Sequence, residues 1–414
     1  MLRDEGTAAE RLAHVLGRSE YAGELLVGAP EAVQLIGDPQ GLTPRSREDL
    51  LRRMVAAGSR RERPADQVAA MRAVRRSELF RIATADLGGG LDLTQVGTAL
   101  TDLTCALLEG ALRVAVAQVE ADRGEPLATR LLVVGMGRLG GGELGYGSDA
   151  DVMFVHDPLP GASEALAQDQ ATEVVQSLRK HLSVHSAEPP VGLDADLRPE
   201  GKNGPIVRSL SSYRAYYERW SLVWEAQALL RAAPVAGDPE LAARFVALVD
   251  PLRWPSGGLS PEQVRDIRRL KARMEGERLP RGGDRRRHLK LGPGGLSDIE
   301  WTVQLLQLEH AHDHPALRTT GTLAAMSALV EEGLLAGEPA AELREAWVLA
   351  SRLRNAATLW RGKSTDALPT DAVDANGVAR VLGMPPGSGQ ELGETYLRVA
   401  RHARAAVTTA FYGE

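Results

Sequence analysis

The stretch LLVVGMGRLGGGELGYGSDADVMFVHD, residues 131–157, decides the fold that the sequence predicts. It opens with an apolar run at 131–137 that is rich in branched residues and ends in glycines, which is typical of a buried β-strand. A glycine-rich turn follows, and ADVMFVHD at 150–157 predicts a second strand. The chain then predicts an amphipathic helix over 169–184 and a short strand with alternating acids over 191–199. This order indicates an α/β unit.

The segments on both sides of this unit predict helices. The 414-residue chain is too long for one ordinary core, and its apolar residues outside the unit recur three and four positions apart. We therefore expect a mostly α-helical protein with a central α/β domain. The expected parts are an N-terminal helical region packed on the α/β unit at 1–124, the α/β domain at 125–255, and a C-terminal helical bundle at 256–414.

The composition excludes several classes of protein. A net charge of −6 argues against a general nucleic-acid binder. Cys105 is the only cysteine, which excludes an intramolecular disulfide framework and a thiolate metal cluster. No segment approaches the roughly 18 uninterrupted apolar residues of a membrane span, and the N-terminus lacks the apolar core of a signal peptide. We expect a cytoplasmic protein that binds neither nucleic acid nor membrane.

Two aspartates stand at the start of the second predicted strand. Asp149 and Asp151 are two positions apart, so in an extended strand their side chains share one face. Left alone, the two carboxylates repel each other and the pKa of one rises. A divalent cation removes this repulsion, and carboxylate oxygens suit Mg²⁺, which takes one or two of them beside water and phosphate oxygens. The pair therefore predicts a Mg²⁺ site.

Further acids and glycines extend this site. The segment LDADLRP, 193–199, carries Asp194 and Asp196, again two apart on a predicted strand. If that strand lies beside the first, one of them joins the pair and holds a second metal ion. Two metal ions about 4 Å apart are the usual arrangement for displacement at phosphorus. Glycine amides of the intervening turn can approach a phosphate closely, and the Ser148 hydroxyl adds a donor. The ordered set predicts nucleotidyl transfer.

These residues resemble the nucleotidyltransferases of the DNA polymerase β superfamily, in which a two-acid strand and a third acid bind two Mg²⁺ ions and a nucleoside triphosphate. Residues 135–157 are further similar to the signature of the glutamine synthetase adenylyltransferase family, and residues 194–238 and 290–308 resemble that family's second and third blocks. The resemblance implies a polymerase β-like α/β domain followed by a helical domain.

The resemblance also implies a reaction. Family members contain two nucleotidyltransferase halves, one that adds AMP and one that removes it, and this chain holds one. GYGSDAD, residues 145–151, resembles the adding half, so we expect an excised C-terminal half with Met1 as an added or internal start. The implied activity transfers AMP from ATP to a tyrosine of glutamine synthetase and releases pyrophosphate. A PII-type signal protein is a further implied partner.

The family pattern implies roles for individual residues. Its third acid most often stands five residues before the proline of the LRP motif, which makes Asp194 the third metal ligand and leaves Asp196 as a helper or a charged neighbour. Asp194 is expected near the attacking oxygen, where it assists deprotonation. The expected ligands of the two Mg²⁺ ions are Asp149, Asp151 and Asp194. The residues expected at the nucleotide are Gly137, Arg138, Gly140, Gly141, Ser148 and Lys202. The expected neighbours of the site are Asp196, Arg198, Lys290, Asp298 and Glu300.

Alternative functions stay open. The same fold supports phosphorolytic removal of AMP from glutamine synthetase. A catalytically silent half would only bind glutamine synthetase or the signal protein, and the intact set of three acids argues against it. An RNA or DNA polymerase fits the acidic net charge poorly.

One aromatic cluster has a purely structural interpretation. It falls on a single helical stripe that predicts the core seam of a helix packed on the sheet, and it consists of Tyr213, Tyr216, Tyr217, Trp220 and Trp224.

Overall fold

The computed structural model describes residues 6–37, 40–184, 191–220, 222–278 and 284–413. Within these ranges the protein is mostly helical and contains one small sheet, as the sequence predicts. A continuous hydrophobic core runs from the N-terminal helices through one face of the sheet into the C-terminal helices. None of the described helices is long and apolar enough to cross a membrane.

The N-terminal region consists of helices that pack on one another and on the sheet. They are α1 (Gly6–Leu16), α2 (Glu20–Gly28), α3 (Arg47–Gly58), α4 (Pro64–Leu87) and α5 (Leu93–Arg123), with 3₁₀ turns at Pro30–Gly37 and Gln40–Leu42. Helix α5 begins with a capping box between Asp92 and Gln95 and ends at Gly124, which is left-handed with φ 69°. Because both ends are capped and its inner face is continuously apolar, the segment forms a single helix.

The α/β domain follows. Its elements are β1 (Thr129–Gly135), α6 (Gly137–Gly140), β2 (Ala150–Pro158), α7 (Glu164–Ser183), β3 (Leu193–Asp194), β4 (Val207–Ser209), α8 (Leu210–Trp220), α9 (Val223–Leu229), β5 (Ala233–Gly237) and α10 (Pro239–Arg253). In the described sheet β1 lies between β2 and β5 and is antiparallel to both. Strands β3 and β4 lie parallel to β2 along its other edge. Gly135, the last residue of β1, pairs with Val152 near the start of β2, so the glycine turn and the acids meet at one end of the sheet.

The strand predicted over 191–199, which carries the later acids, is much shorter than the sequence predicts. It contains only Leu193–Asp194, because the Asp194 carboxylate accepts a hydrogen bond of 2.8 Å from the N–H of Asp196 and turns the chain. The Arg198 guanidinium then donates to the Ala195 carbonyl at 2.7 Å, which closes the turn. The expectation that Asp194 and Asp196 share a strand is therefore wrong.

Alternate residues of the central strands point to opposite faces of the sheet. On β1, Leu131 and Val133 join the core that the N-terminal helices build. Leu132 and Val134 belong to a second cluster with side chains of α8, α9 and α10, including Phe245. Both faces of the sheet are thus covered by helices, and the predicted acids lie at one end of it.

The aromatic stripe is only partly a core seam. Tyr213 and Tyr217 are buried in the second cluster, whereas Trp220 and Trp224 are 60% and 38% exposed. The prediction assumed one continuous helix, but α8 ends at Trp220 and α9 begins at Val223, after the extended backbone of Leu222. The prediction is therefore right for the buried tyrosines and wrong for the two tryptophans.

The C-terminal residues form a bundle of helices. These are α11 (Pro261–Arg278), α12 (Leu296–His310), α13 (Thr322–Glu331), α14 (Gly337–Arg361), α15 (Ala372–Val381) and α16 (Gly389–Val407), with 3₁₀ turns at Arg285–Arg287 and Pro315–Leu317 and a final π-helical turn at Thr408–Tyr412. Helix α14 also packs on α2, and the Ser19 hydroxyl donates to the Leu359 carbonyl at 2.7 Å. The bundle therefore contacts the N-terminal region as well as the α/β domain.

Asp298, which the sequence places near the site, lies in the interior of this bundle and is only 3% exposed. Its carboxylate is hydrogen-bonded to the Lys271 ammonium and lies 2.8 Å from Nη1 of Arg404. The Gly294 N–H donates to the same carboxylate at 2.8 Å. These partners tie α11, α12 and α16 together, so a structural role accounts for Asp298.

Replacing Asp298 with Ala is expected to lower the free energy of unfolding by about 3 kcal/mol, since removing one partner leaves Lys271 buried without its main counter-charge. Urea unfolding followed by circular dichroism measures the change. Asp313→Ala, at an exposed turn, is the matched control and should cost less than about 0.5 kcal/mol. Equal losses in the two variants would contradict a structural role for the buried ion pair.

Candidate active site

Three carboxylates meet at the end of the sheet that carries the glycine turn. Asp149 immediately precedes β2, Asp151 is its second residue, and Asp194 ends β3. The parallel register sets Asp151 directly opposite Asp194, and the Ala150 N–H donates to the Gly192 carbonyl at 3.0 Å. Asp149 and Asp194 are exposed, whereas Asp151 is half-buried. Neighbouring strands thus bring the three predicted acids to one place.

The electrostatics of the site are those of a cluster of carboxylates. Burial first, and then the charges of Asp194 and Asp149, raise the pKa of Asp151 to about 6. The positive charges of Lys290 and Arg231 oppose that rise. The carboxylates therefore repel one another across the strands, and a bound cation would relieve the repulsion.

Two glycines lie against the acids, where a side chain would crowd the carboxylates. Gly137 has φ +52°, and a Cβ on it would lie 2.5 Å from Oδ2 of Asp151. A Cβ on Gly192 would lie 3.0 Å from Oδ1 of Asp149. The Met136 N–H also donates to the Asp151 carbonyl at 2.8 Å. The turn after β1 is thus packed directly on the central acid.

The loop Gly145–Ser148 leads into Asp149 and is held from two sides. Within it, the Ser148 hydroxyl accepts a hydrogen bond from the Gly145 N–H at 2.9 Å. The hydroxyl of buried Tyr146 donates to Oδ2 of Asp86 at 3.0 Å, at the end of α4. The N-terminal helices therefore position this loop.

A buried arginine that the sequence analysis did not single out fixes the glycine turn. Arg231, between α9 and β5, forms ion pairs with Glu143 and with Glu300 of α12. A Cβ on Gly140 would lie 1.8 Å from the Arg231 carbonyl oxygen, and one on Gly141 would lie 2.2 Å from its Nη2. Close packing against Arg231 thus explains both glycines. The predicted neighbour Glu300 belongs to this network.

Arg138 points toward the bundle. Its Nη2 donates to the Ser351 hydroxyl at 2.9 Å, and its guanidinium lies over the Trp347 ring at 5.5 Å from the centroid. Burial, followed by the nearby charge of Arg354, lowers the pKa of Arg138 to about 10. The side chain lines a recess with Ser148, next to the loop that carries Asp149.

A cleft of about 520 Å³ opens beside the acids. Asp149, Asp194 and Asp196 line it, together with the cations Lys202 and Arg179. Lys202 is 81% exposed and pairs with Asp196 at 3.2 Å. Arg179 of α7 was missed from the sequence, because a single arginine on a helix gives no signal of its own.

The remaining predicted neighbours lie on either side of the acids. Arg198 is buried beneath the cleft, where it donates to the carbonyls of Ala195 and Gly204. Lys290 is exposed and lies close enough to Asp151 for its charge to act on that carboxyl. Arg198 therefore shapes the cleft, while Lys290 adds positive charge from the bundle.

The donor set fits a divalent cation that brings ligands of its own. Among the residues that the structure describes, no group of three or more His, Cys, Asp or Glu side chains is placed to hold a metal ion by itself. The three acids offer only hard carboxylate oxygens, and Mg²⁺ typically takes one or two of these and completes its shell with water and phosphate oxygens. A metal–phosphate ligand therefore suits the site better than a free ion.

Comparison with known proteins identifies relatives over the whole chain. A family model described as glutamate-ammonia ligase adenylyltransferase matches residues 9–248, and one described as PII-uridylyltransferase matches residues 268–411. Two proteins named bifunctional glutamine synthetase adenylyltransferase/adenylyl-removing enzyme, from Streptomyces coelicolor and Streptomyces avermitilis, are each 53% identical over 100% of this chain. The protein of the same name from Mycobacterium avium is 50% identical over 99% of it.

The chain spans 42%, 43% and 42% of the length of these three relatives. The first family model covers more than half of the chain and includes all three acids, the glycine turn and Arg231. On this similarity, the chain belongs to the glutamate-ammonia ligase (glutamine synthetase) adenylyltransferase family.

Proposed function

We propose that this chain transfers AMP from ATP to a tyrosine hydroxyl of glutamine synthetase and releases pyrophosphate. The observation that carries the proposal is the strand register that sets Asp151 opposite Asp194, with Asp149 beside them at the glycine turn. The names of the relatives support glutamine synthetase as the protein substrate. Because the chain spans less than half of those relatives, the proposal concerns this part of such an enzyme.

We infer a polymerase β-like fold for residues 125–255. The sheet is mixed, the three acids come from two neighbouring strands, and a glycine turn stands directly before the first pair. A helical bundle follows and contacts the turn through the ion pair of Arg231 with Glu300. These features support the fold that the motifs imply.

Each acid has a distinct proposed role. Asp149 and Asp151 would hold the metal ion that accompanies the nucleotide, and Asp194 would help to hold a second. When bound, two Mg²⁺ ions supply the positive charge that neutralises the acids and polarises the α-phosphate. Asp194 is open to the cleft, where its carboxylate can accept the proton of a phenol whose pKa is normally near 10.

The other residues bind and orient. The Ser148 hydroxyl and backbone N–H groups at the start of the glycine turn are suited to phosphate oxygens. The N–H groups of Gly140 and Gly141 already donate to the carbonyls of Met136 and Gly137, so these two glycines are not expected to bind phosphate. Lys202 and Arg179 give the cleft positive charge beside the acids. A PII-type signal protein as a second partner stays a prediction.

The alternative function, removal of AMP from glutamine synthetase, differs from the proposed one in the direction of transfer. Phosphorolytic removal of AMP would use the same acids with phosphate as the attacking group. The similarity of Gly145–Asp151 to the adding half favours addition. Labelled ATP, Mg²⁺ and unmodified glutamine synthetase test addition, while adenylylated glutamine synthetase with phosphate tests removal.

Asp151→Asn and Asp194→Asn should each slow labelling of glutamine synthetase by about 10³-fold, because each removes a charge that the transition state requires. Asp196→Asn is the matched control. It removes the ion pair with exposed Lys202 and a longer one, at 3.9 Å, with Arg198, and should change the rate by less than about tenfold.

Label on glutamine synthetase with the wild-type chain, lost in the two site variants, would establish the proposed reaction. Absence of label with wild type in the presence of Mg²⁺ would refute it. An equal loss for Asp194→Asn and Asp196→Asn would remove the distinction between the third ligand and its neighbour. Far-ultraviolet circular dichroism of each variant checks that folding is intact.

A pair of glycine substitutions tests whether the turn positions Asp151. Gly137→Ala and Gly142→Ala both place alanine at positive φ, +52° and +71°, and each should cost roughly 1–2 kcal/mol of stability. Only the Cβ at 137 meets the Asp151 carboxylate, since nothing lies within 4 Å of the Cβ at 142. The labelling rate should therefore fall strongly for Gly137→Ala alone, and equal rates in the two folded variants would contradict this role.

A further inference from the structure

A second polar cluster adjoins the Gly145–Ser148 loop on the side of the bundle. It lines a narrow recess of about 10 Å³, the room of a single water, whose mouth includes exposed Gly147 and Ser364. Its members come from the loop, from α14 and from the turn after α14: Arg138, Ser148, Arg354, Thr358, Ser364 and Thr365. Guanidinium and hydroxyl groups dominate this set, which is the chemistry of an anion site.

The cluster is in direct contact with the loop that leads to Asp149. A Cβ on Gly147 would lie 2.5 Å from Cβ of Ser364 and 3.1 Å from Oγ1 of Thr358. A Cβ on Gly145 would lie 2.5 Å from Oδ1 of Asn355. The two glycines therefore allow α14 and its following turn to approach the catalytic loop without an intervening side chain.

Arg354 is the central cation of the cluster and pairs with a single carboxylate among the described residues. Its Nε lies 2.7 Å from Oδ1 of Asp366 as an ion pair. Neither atom makes a well-aligned hydrogen bond within the described residues. Its positive charge also acts on buried Arg138, whose pKa it helps to lower. Glu300 and Glu143 offset part of the positive charge around Arg138, whereas Asp366 is the carboxylate that pairs with Arg354.

Lys290 belongs to the same unit. The Leu289 N–H donates to the Asp366 carbonyl at 2.7 Å, and His288 forms a β-bridge with Ala367. These bonds fix the segment before Lys290 to the turn after α14. Hydrogen bonds thus join the segment that carries Lys290 to the turn that follows the helix of Arg354. The positive charge of Lys290 reaches Asp151.

We propose that the bundle supplies the phosphate-binding part of the nucleotide site, in which Arg354, Ser364 and Lys290 hold the β- and γ-phosphates of a nucleoside triphosphate at the mouth of the recess. This inference rests on the proposed function, which places the α-phosphate at the acids. Charge-assisted hydrogen bonds from a guanidinium are strong and suit phosphate oxygens. In the same position they offset the charge that develops on departing pyrophosphate.

The alternative is that Arg354 only anchors the turn through Asp366. The two explanations differ in what happens when each partner is removed. If the ion pair is only structural, substituting Arg354 or Asp366 should have the same effect. If Arg354 binds phosphate, only the substitution of Arg354 should weaken nucleotide binding. Asp366→Asn keeps the guanidinium and removes its competitor, so under the proposal it should preserve or tighten phosphate binding.

Isothermal titration of the full chain with α,β-methylene-ATP and with AMP, both in Mg²⁺, tests the proposal. Arg354→Gln should raise the dissociation constant of the triphosphate analogue by about tenfold or more, while that of AMP changes by less than about twofold, since AMP lacks the β- and γ-phosphates. Arg354→Lys should give an intermediate value. Arg344→Gln, an exposed arginine on the same helix, is the matched control and should behave as wild type.

An unchanged affinity of Arg354→Gln for the analogue would overturn the inference, and so would an equal loss in Arg354→Gln and Asp366→Asn. If Arg354→Gln does not fold, Arg354→Lys decides on the same criterion. Failure of the wild-type chain to bind the analogue at all would instead refute the proposed function, so the two failures are distinguishable.

Discussion

Three carboxylates that repel one another are held together at one end of the sheet. Parallel pairing of two short segments sets Asp151 against Asp194, and the chain adds Asp149 one position before the strand. Burial and these neighbours raise the pKa of Asp151 to about 6, so the fold maintains an arrangement that its own side chains disfavour. Such an arrangement is useful when a cation completes it, as the proposed Mg²⁺–ATP substrate does.

The surrounding parts hold the acids together against that repulsion. Gly137 and Gly192 bring backbone against the carboxylates, and Tyr146 anchors the Gly145–Ser148 loop on α4. Arg231 connects the glycine turn to α12 through Glu143 and Glu300. The bundle therefore contacts the site directly. The same packing places Lys290 of the bundle close to Asp151.

The sequence predicts the central features because they are local. The apolar runs, the glycine turn and the two-residue spacing of Asp149 and Asp151 follow from nearest-neighbour geometry, and the structure places them as expected. The features that the sequence does not predict depend on contacts between residues far apart in the chain. The Asp194 carboxylate accepts a hydrogen bond from the Asp196 N–H and thereby ends the strand before Asp196. Asp298 forms an ion pair inside the bundle. Arg354 lies beside the Gly145–Ser148 loop only because α14 packs there.

The most direct test of the account is a crystal structure of the chain with Mn²⁺ and α,β-methylene-ATP, read from the anomalous signal of the metal. We expect one Mn²⁺ between Asp149, Asp151 and the phosphates, and a second between Asp151 and Asp194. The terminal phosphates should lie at the mouth of the recess beside Arg354. Nucleotide bound elsewhere, or Mn²⁺ absent from the three acids while nucleotide is present, would contradict it.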